Sequence, residues 1–225
     1  MLNHIWQSGG YMSFITLLFY IVSYAALVFV MLPLHELAHA VVATRLGDDT
    51  PRWHGRLTLN PLRHLDTWGT VMLVLFGIGY AKPVPVNPRN FANPKRDMAL
   101  TALAGPVSNL LMALVSLLLF RIARFTVTDG TVLSILGIIL VRVFAQVNLC
   151  LAVFNLLPIP PLDGFRIFGA ILPPRFVEFV DRYHNYVRWV VLLLVFTGAL
   201  DYPLTIMIRF LGGLLCAIVG LPNQF

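Results

Sequence analysis

Two histidines and a glutamate stand together in the motif HELAH, at His35, Glu36 and His39. Because residues four apart share one face of an α-helix, His35 and His39 can direct ring nitrogens at one metal ion. Glu36 lies about 100° round the same helix and need not bind that ion. This H-E-x-x-H spacing is typical of zinc hydrolases, in which the glutamate takes a proton from the attacking water. The motif therefore predicts a zinc site with Glu36 as its general base.

The motif lies at the end of an uncharged run that covers residues 11–34. Chance is the simplest alternative, because three fixed residues occur in many unrelated chains. However, each ionisable side chain in a membrane-spanning helix is unfavourable by about 2.5 to 3.5 kcal/mol on insertion scales. Three such residues on one apolar helix need a common explanation, and we therefore favour the metal site.

Composition indicates a membrane protein. Of the 225 residues, 58% are hydrophobic and only 12% are charged, and the mean hydropathy is +0.81. A spanning helix needs roughly 20 apolar residues, and the uncharged runs 11–34, 98–120 and 143–162 are each that long. Two shorter apolar runs, 189–200 and 210–225, predict a further hairpin or kinked span. We expect an all-α polytopic membrane protein with four to six transmembrane segments.

The net charge of +6 raises the possibility of nucleic-acid binding, but the basic residues follow a membrane topology instead. Most of them lie in three connections, residues 45–66, 82–97 and 163–188. If the short apolar piece 67–81 is a re-entrant or β-like element at the membrane edge, these connections share one side. The positive-inside rule makes that side cytoplasmic. This topology predicts an active site toward the cytoplasm and no nucleic-acid partner.

The sequence predicts one transmembrane domain over residues 1–225. The motifs that could form the active site lie within residues 33–166, and residues 189–225 predict a C-terminal membrane hairpin. No Lys or Arg precedes the first apolar run, and that run is longer than the apolar region of a signal peptide. We therefore expect this segment to be retained in the mature protein.

A hydrolytic zinc site needs a third protein ligand and one open position for water. Among the acidic residues, only Glu36 and Asp163 directly follow long apolar runs. Asp163 comes after three prolines in NLLPIPPLDGF, which must end the preceding helix and can turn a carboxylate back toward the bundle. From the residues alone, an N-cap of the next helix explains Asp163 equally well.

The motifs HELAH, AGPVSN and NLLPIPPLDG occur in this order across apolar segments. In this combination the chain resembles the site-2 protease family of intramembrane zinc metalloproteases, and in particular its compact prokaryotic branch without a PDZ domain. The resemblance covers most of residues 33–166. It implies one zinc ion per chain bound by His35, His39 and Asp163, with Glu36 as general base and Asn155 as donor to the substrate carbonyl and oxyanion. It also implies a multi-pass location in the prokaryotic cell membrane.

Three other residues are expected to support the site. Gly105 and Asn109 match the Gly-x-x-x-Asn pattern of the family, which implies close helix packing at Gly105 and a bridge to the active-site helices at Asn109. An amide such as Asn155 can donate to an oxyanion without adding charge, but a buried helix–helix hydrogen bond explains it equally well. For Asn148, seven residues earlier on the same face, packing is the better interpretation.

The segment KPVPVNP, residues 82–88, reads as an extended piece because its prolines exclude a helix and limit strand pairing. We hypothesise that Val84 and Val86 lie on an edge that holds an unwound substrate strand by β-augmentation. A plain rigid connection is the alternative. His54 and His64 are candidates for extra ligands, although local hydrogen bonding is the simpler explanation. Arg142 should face the bundle or a water-filled cavity, because an unpaired charge in lipid is unfavourable.

Together these features predict an enzyme that hydrolyses peptide bonds in or near transmembrane segments of other membrane proteins. Its partners would be such a substrate and the lipid bilayer. The alternative is a non-catalytic metal-binding membrane protein or a metal-ion transporter. A transporter is expected to show repeated halves or ligands at several depths, whereas the sequence shows one compact ligand set.

Overall fold

A computed structural model describes residues 14–66, 82–126, 131–223 and 225, and these residues are mostly helical, with no sheet. The eight α-helices among them are α1 (Phe14–Arg45), α2 (Thr50–Trp53), α3 (Pro94–Thr126), α4 (Val132–Asn155), α5 (Asp163–Gly169), α6 (Pro174–Arg182), α7 (His184–Phe196) and α8 (Asp201–Val219). The prediction of an all-α polytopic fold is confirmed. The predicted element at 67–81 lies outside the described residues.

Three described helices are long and apolar enough to cross a membrane: Pro94–Thr126, Gly137–Asn155 and Asp201–Val219. They account for two of the three long runs found in the sequence and for the last of the shorter ones. α1 has 32 residues and contains most of the first run. The total of four to six spans stays a prediction.

α3 is the central helix, and it contacts α1, α4, α5 and α8. A buried apolar core joins it to α4 and α8, and includes Ala113, Leu117, Ala145, Leu149 and Cys216. The small alanines at 113 and 145 allow the helix backbones to approach closely, as is common between membrane helices. One turn after Leu117, the Arg121 guanidinium donates to the Val219 carbonyl at the end of α8. α3 thus provides one rigid wall against which α1 and α5 pack.

α1 ends one turn and a half after His39 in a Schellman motif. The N–H of Gly47 donates to the Thr44 carbonyl at 3.2 Å, and the N–H of Asp48 donates to the Ala43 carbonyl at 3.0 Å. Gly47 has a φ of +108°, which a residue with a side chain adopts only at a cost. This termination places Asp48 directly under the end of the helix that carries the HELAH motif.

Asp48 is fully buried and holds the chain around residue 88 against α1. Its carboxylate accepts hydrogen bonds from the Thr50 hydroxyl, from the Asn87 N–H at 2.7 Å, from the Asn90 side-chain N–H at 2.7 Å and from the Thr50 N–H at 3.1 Å. Burial raises the pKa of Asp48, but these hydrogen bonds outweigh it and leave the pKa below its ordinary value. The carboxylate is therefore a charged anchor between α1 and the chain that precedes α3.

We expect Asp48→Asn to destabilise the folded protein by about 1 to 3 kcal/mol at pH 7, because charge-assisted hydrogen bonds to a buried carboxylate are lost. The folded pKa lies below the unfolded one, so this stabilisation is complete above about pH 4 and disappears as the pH falls through the folded pKa. Thermal unfolding in detergent measures both effects. Asp49→Asn, at the neighbouring half-buried carboxylate that pairs with Arg52, is the control, and an equal loss in both variants would contradict the anchor.

Candidate metal centre

Three potential metal ligands meet where α1 faces the start of α5. His35 Nε2 lies 3.1 Å from His39 Nε2, and Asp163 Oδ2 lies 3.2 Å from the first and 3.3 Å from the second. The two histidines are one turn apart on α1, as their spacing predicts, and Asp163 is the first residue of α5. Within the described residues, this is the group of His, Cys, Asp and Glu side chains that could hold a metal ion.

The triangle formed by His35, His39 and Asp163 has the size that zinc requires. With zinc–ligand distances of about 2.0 to 2.1 Å and tetrahedral angles, neighbouring ligand atoms lie about 3.3 to 3.4 Å apart. The three observed separations of 3.1, 3.2 and 3.3 Å are close to this value. Both histidines are buried, and in the described part of the chain the buried Asp163 Oδ2 atom has no hydrogen-bond partner. The donor set and its spacing therefore fit a zinc ion.

The tautomer of His39 supports the same conclusion. Its Nδ1 lies 2.7 Å from the carbonyl oxygen of Thr101, which can only accept, so Nδ1 carries the proton. In the neutral ring, Nε2 then presents a lone pair to His35 and Asp163, as metal-binding histidines do. The carbonyl comes from α3, and no side-chain pattern in the sequence indicates it.

Asp163 is a ligand candidate and not a helix cap in this structure. Leu162 is the N-cap residue of α5, and Asp163 occupies the first helical position with its carboxylate against the histidines. A metal-binding carboxylate must be ionised, and a cation held between the two histidines would keep this one in that form.

Gly105 lies directly against the two imidazole rings. A Cβ atom at this position would come within 2.3 Å of His39 Nε2 and within 2.6 Å of His35 Nε2. Real Cβ contacts are never this short, so only glycine allows α3 to pass this close to α1. The backbone of α3 thus forms one wall of the candidate centre.

Glu36 is buried and its Oε2 accepts a hydrogen bond from the backbone N–H of Val84 at 3.2 Å. The Val84 side chain is also buried, and that of Val86 is half-buried. The segment 82–88, which its prolines predict to be extended, therefore lies beside the candidate general base. The Val84 N–H is occupied by Glu36 and is not free to pair with a substrate strand. Binding of substrate at Val84 and Val86 stays a prediction.

In the described residues, no hydrogen bond joins any of the three asparagines to the ligand triad. The Asn155 amide donates to the Leu151 carbonyl at 3.0 Å, and the Asn148 amide donates to the Phe144 carbonyl at 2.9 Å, both within α4. Asn109 is fully buried, and in the described part of the chain neither its oxygen nor its nitrogen has a hydrogen-bond partner. The oxyanion role of Asn155 and the bridging role of Asn109 stay predictions.

The remaining polar candidates lie apart from the metal-ligand group. His54 is exposed and donates to the Thr50 carbonyl at 2.9 Å, while His64 is fully buried and donates to the Thr58 carbonyl at 2.8 Å. Each ring therefore makes a local hydrogen bond, as the simpler interpretation suggested, and in the described residues the buried His64 Nδ1 has no hydrogen-bond partner. The side chain of Arg142 on α4 is exposed in the isolated chain.

Comparisons with known proteins agree on one family. The model of "Peptidase family M50" matches residues 122–197. The Bacillus subtilis protein named "Putative zinc metalloprotease YwhC" is 41% identical over 172 residues, which cover 76% of this chain and 78% of that protein. Proteins with the same description in Mycolicibacterium smegmatis and Methanocaldococcus jannaschii are 31% and 32% identical, over 75% and 59% of this chain and 64% and 62% of their own lengths. No solved structure shows a significant match.

Proposed function

Because the chain belongs to peptidase family M50, the site-2 protease family, we propose that it is an intramembrane zinc endopeptidase that cleaves in or near transmembrane segments of other membrane proteins. The observation that carries this proposal is that the ligand atoms of His35, His39 and Asp163 lie at the separations expected around a zinc ion. The adjoining residue, Glu36, supplies a buried carboxylate that is not one of the three ligands. A site that only stored or carried the ion would have no use for this base.

Each of these side chains has a defined role in the proposed mechanism. The imidazoles of His35 and His39 and the carboxylate of Asp163 would hold zinc, which supplies the Lewis acidity that activates water near neutral pH and polarises the scissile carbonyl. Glu36 accepts the proton of the attacking water and then passes it to the leaving amine. Asn155 would donate to the carbonyl oxygen as negative charge develops there, through the amide N–H that the Leu151 carbonyl does not accept.

The proposed substrate is a transmembrane segment that has unwound near the cytoplasmic boundary. His39 lies six residues before the end of α1 at Arg45, which corresponds to about 9 Å of helical rise. At that depth, water can reach the site through a short polar opening, and a membrane segment can reach it from the bilayer. The substrate must be unwound, because a helix engages the carbonyl that water attacks.

We expect Asp163→Ala to weaken zinc binding by more than about 100-fold, which exceeds the 10- to 100-fold typical when only an outer partner of a ligand is lost. Metal content by mass spectrometry, with cleavage of a generic transmembrane substrate in the same detergent-purified samples, measures this. Wild type should hold about one zinc per chain, and Glu178→Ala, at an exposed acid on α6, should match it. Full zinc in Asp163→Ala together with no cleavage by wild type would favour a structural or transport site.

A further inference from the structure

The segment Lys82–Pro88, here called the proline segment, is attached to its surroundings through three backbone N–H groups. Lys82 donates to the His64 carbonyl at 2.8 Å, Val84 donates to Glu36 Oε2 at 3.2 Å and Asn87 donates to Asp48 Oδ2 at 2.7 Å. All three donors belong to residues that directly precede a proline. A residue before proline prefers extended conformations, so the sequence itself favours the extended path along which these donors are presented.

Val84 is the only residue between Lys82 and Val86 that has a backbone N–H, because Pro83 and Pro85 have none. This run of residues therefore offers a single donor, and that donor is aimed at Glu36. Both ends of the proline segment are fixed as well. The buried Arg56 guanidinium donates to the Lys82 carbonyl at 3.2 Å, and the buried Asp48 carboxylate holds Asn87.

A buried carboxylate needs such a donor. Removing a charged oxygen from water without a replacement hydrogen bond is strongly unfavourable, and an N–H to a carboxylate is a charge-assisted bond. One Glu36 oxygen is satisfied by Val84, which fixes the rotation of the carboxylate and leaves the other oxygen for the attacking water. On the helix alone, Glu36 would be free to turn about its side-chain bonds, since α1 provides it with no other partner in the described residues.

We propose that the backbone N–H of Val84 positions the general base, so that the proline segment is part of the catalytic apparatus through its main chain and not only through its side chains. This inference rests on the proposed peptidase function. The proposal also explains the alternating prolines. They remove competing N–H donors, prevent the segment from forming a helix or pairing as a strand, and leave one N–H at a fixed place.

Val84→Pro removes the donor and is expected to lower kcat by at least about tenfold, with full zinc content and with KM changed no more than in Val84→Ala, because the donor acts on the base and not on the substrate. Val84→Ala trims the side chain but keeps the N–H, and its kcat should stay clearly above that of Val84→Pro. Ala92→Pro is the control for an added proline. Ala92 is exposed, and Phe91 before it is already extended, with φ −83° and ψ 144°.

A second measurement does not depend on cleavage. Exchange of the Val84 amide proton, followed by NMR on protein labelled with ¹⁵N-valine, should be at least about tenfold faster in Glu36→Ala than in wild type, because the acceptor is lost. Unchanged exchange would overturn the inference, as would equal kcat in Val84→Pro and wild type, or an equal fall in Val84→Pro and Val84→Ala. An inactive wild type would instead contradict the proposed function, and the exchange rates would still decide whether the Val84 N–H is bonded to Glu36.

Discussion

Glu36→Gln is expected to leave zinc bound and to lower cleavage by about 10² to 10⁴-fold, the usual contribution of a general base. Glutamine has nearly the same shape and can still accept the Val84 N–H, but it cannot take a proton from water. Glu36 is not among the three ligand candidates, so the metal should stay. His39→Ala should lose both zinc and cleavage, because it removes a ligand whose orientation is fixed by the Thr101 carbonyl.

The pair of variants separates chemistry from metal binding. Zinc content and cleavage of a generic transmembrane substrate are measured on the same purified samples, and Glu178→Gln on α6 serves as a carboxylate-to-amide control at an exposed position. A Glu36→Gln protein that turned over at the wild-type rate would remove Glu36 from the mechanism. Loss of zinc from Glu36→Gln would instead make it a ligand or a support for one.

Gly105→Ala should lower zinc content and cleavage almost as much as His39→Ala does, although it adds only a single methyl group. The new Cβ would need space that the His35 and His39 rings already occupy, at 2.3 to 2.6 Å. The α3 backbone cannot withdraw without losing its contacts to the rest of the bundle, so the rings must move and the ligand triangle must open. We expect loss of most of the bound zinc and of cleavage.

Gly137→Ala on α4 provides the matched control. A Cβ at Gly137 has no neighbour within 4 Å, so this change should only improve helix propensity, by about 0.5 to 1 kcal/mol. Gly105→Ala gains the same helix propensity, and any loss of zinc must therefore come from the contact with the rings. Normal zinc content in Gly105→Ala would show that α3 can move away from the centre at little cost.

The sequence predicted the ligand pair and the base because their spacing follows directly from helix geometry. It left Asp163 open between a ligand and an N-cap, since the direction of a carboxylate after three prolines depends on the path of the chain. In the structure Leu162 occupies the cap position and the Asp163 carboxylate lies against the two histidines, while its role as a ligand stays a prediction. The resemblance to the family had already favoured the ligand role.

Backbone groups were beyond the reach of the sequence. The Thr101 carbonyl and the Val84 N–H both act on the HELAH helix, but every residue has such groups, and tertiary packing decides which of them meet a particular side chain. The prolines around Val84 were the one available signal, and they were interpreted as a substrate edge. The membrane-edge element at 67–81 and the number of spans remain predictions, because the length of an apolar run does not determine its path through the bilayer.

The positions of the ligands also have a consequence for the maturation of the protein. His35 and His39 lie on the first described helix, whereas Asp163 follows only after α3 and α4. A zinc ion held by all three would act as a cross-link that closes this long stretch of chain and reduces the freedom of the unfolded state. Each tenfold rise in free zinc above its dissociation constant would then add about 1.4 kcal/mol to the stability of the fold. Metal supply would thus control how much of the newly inserted protein persists as well as how much of it is active.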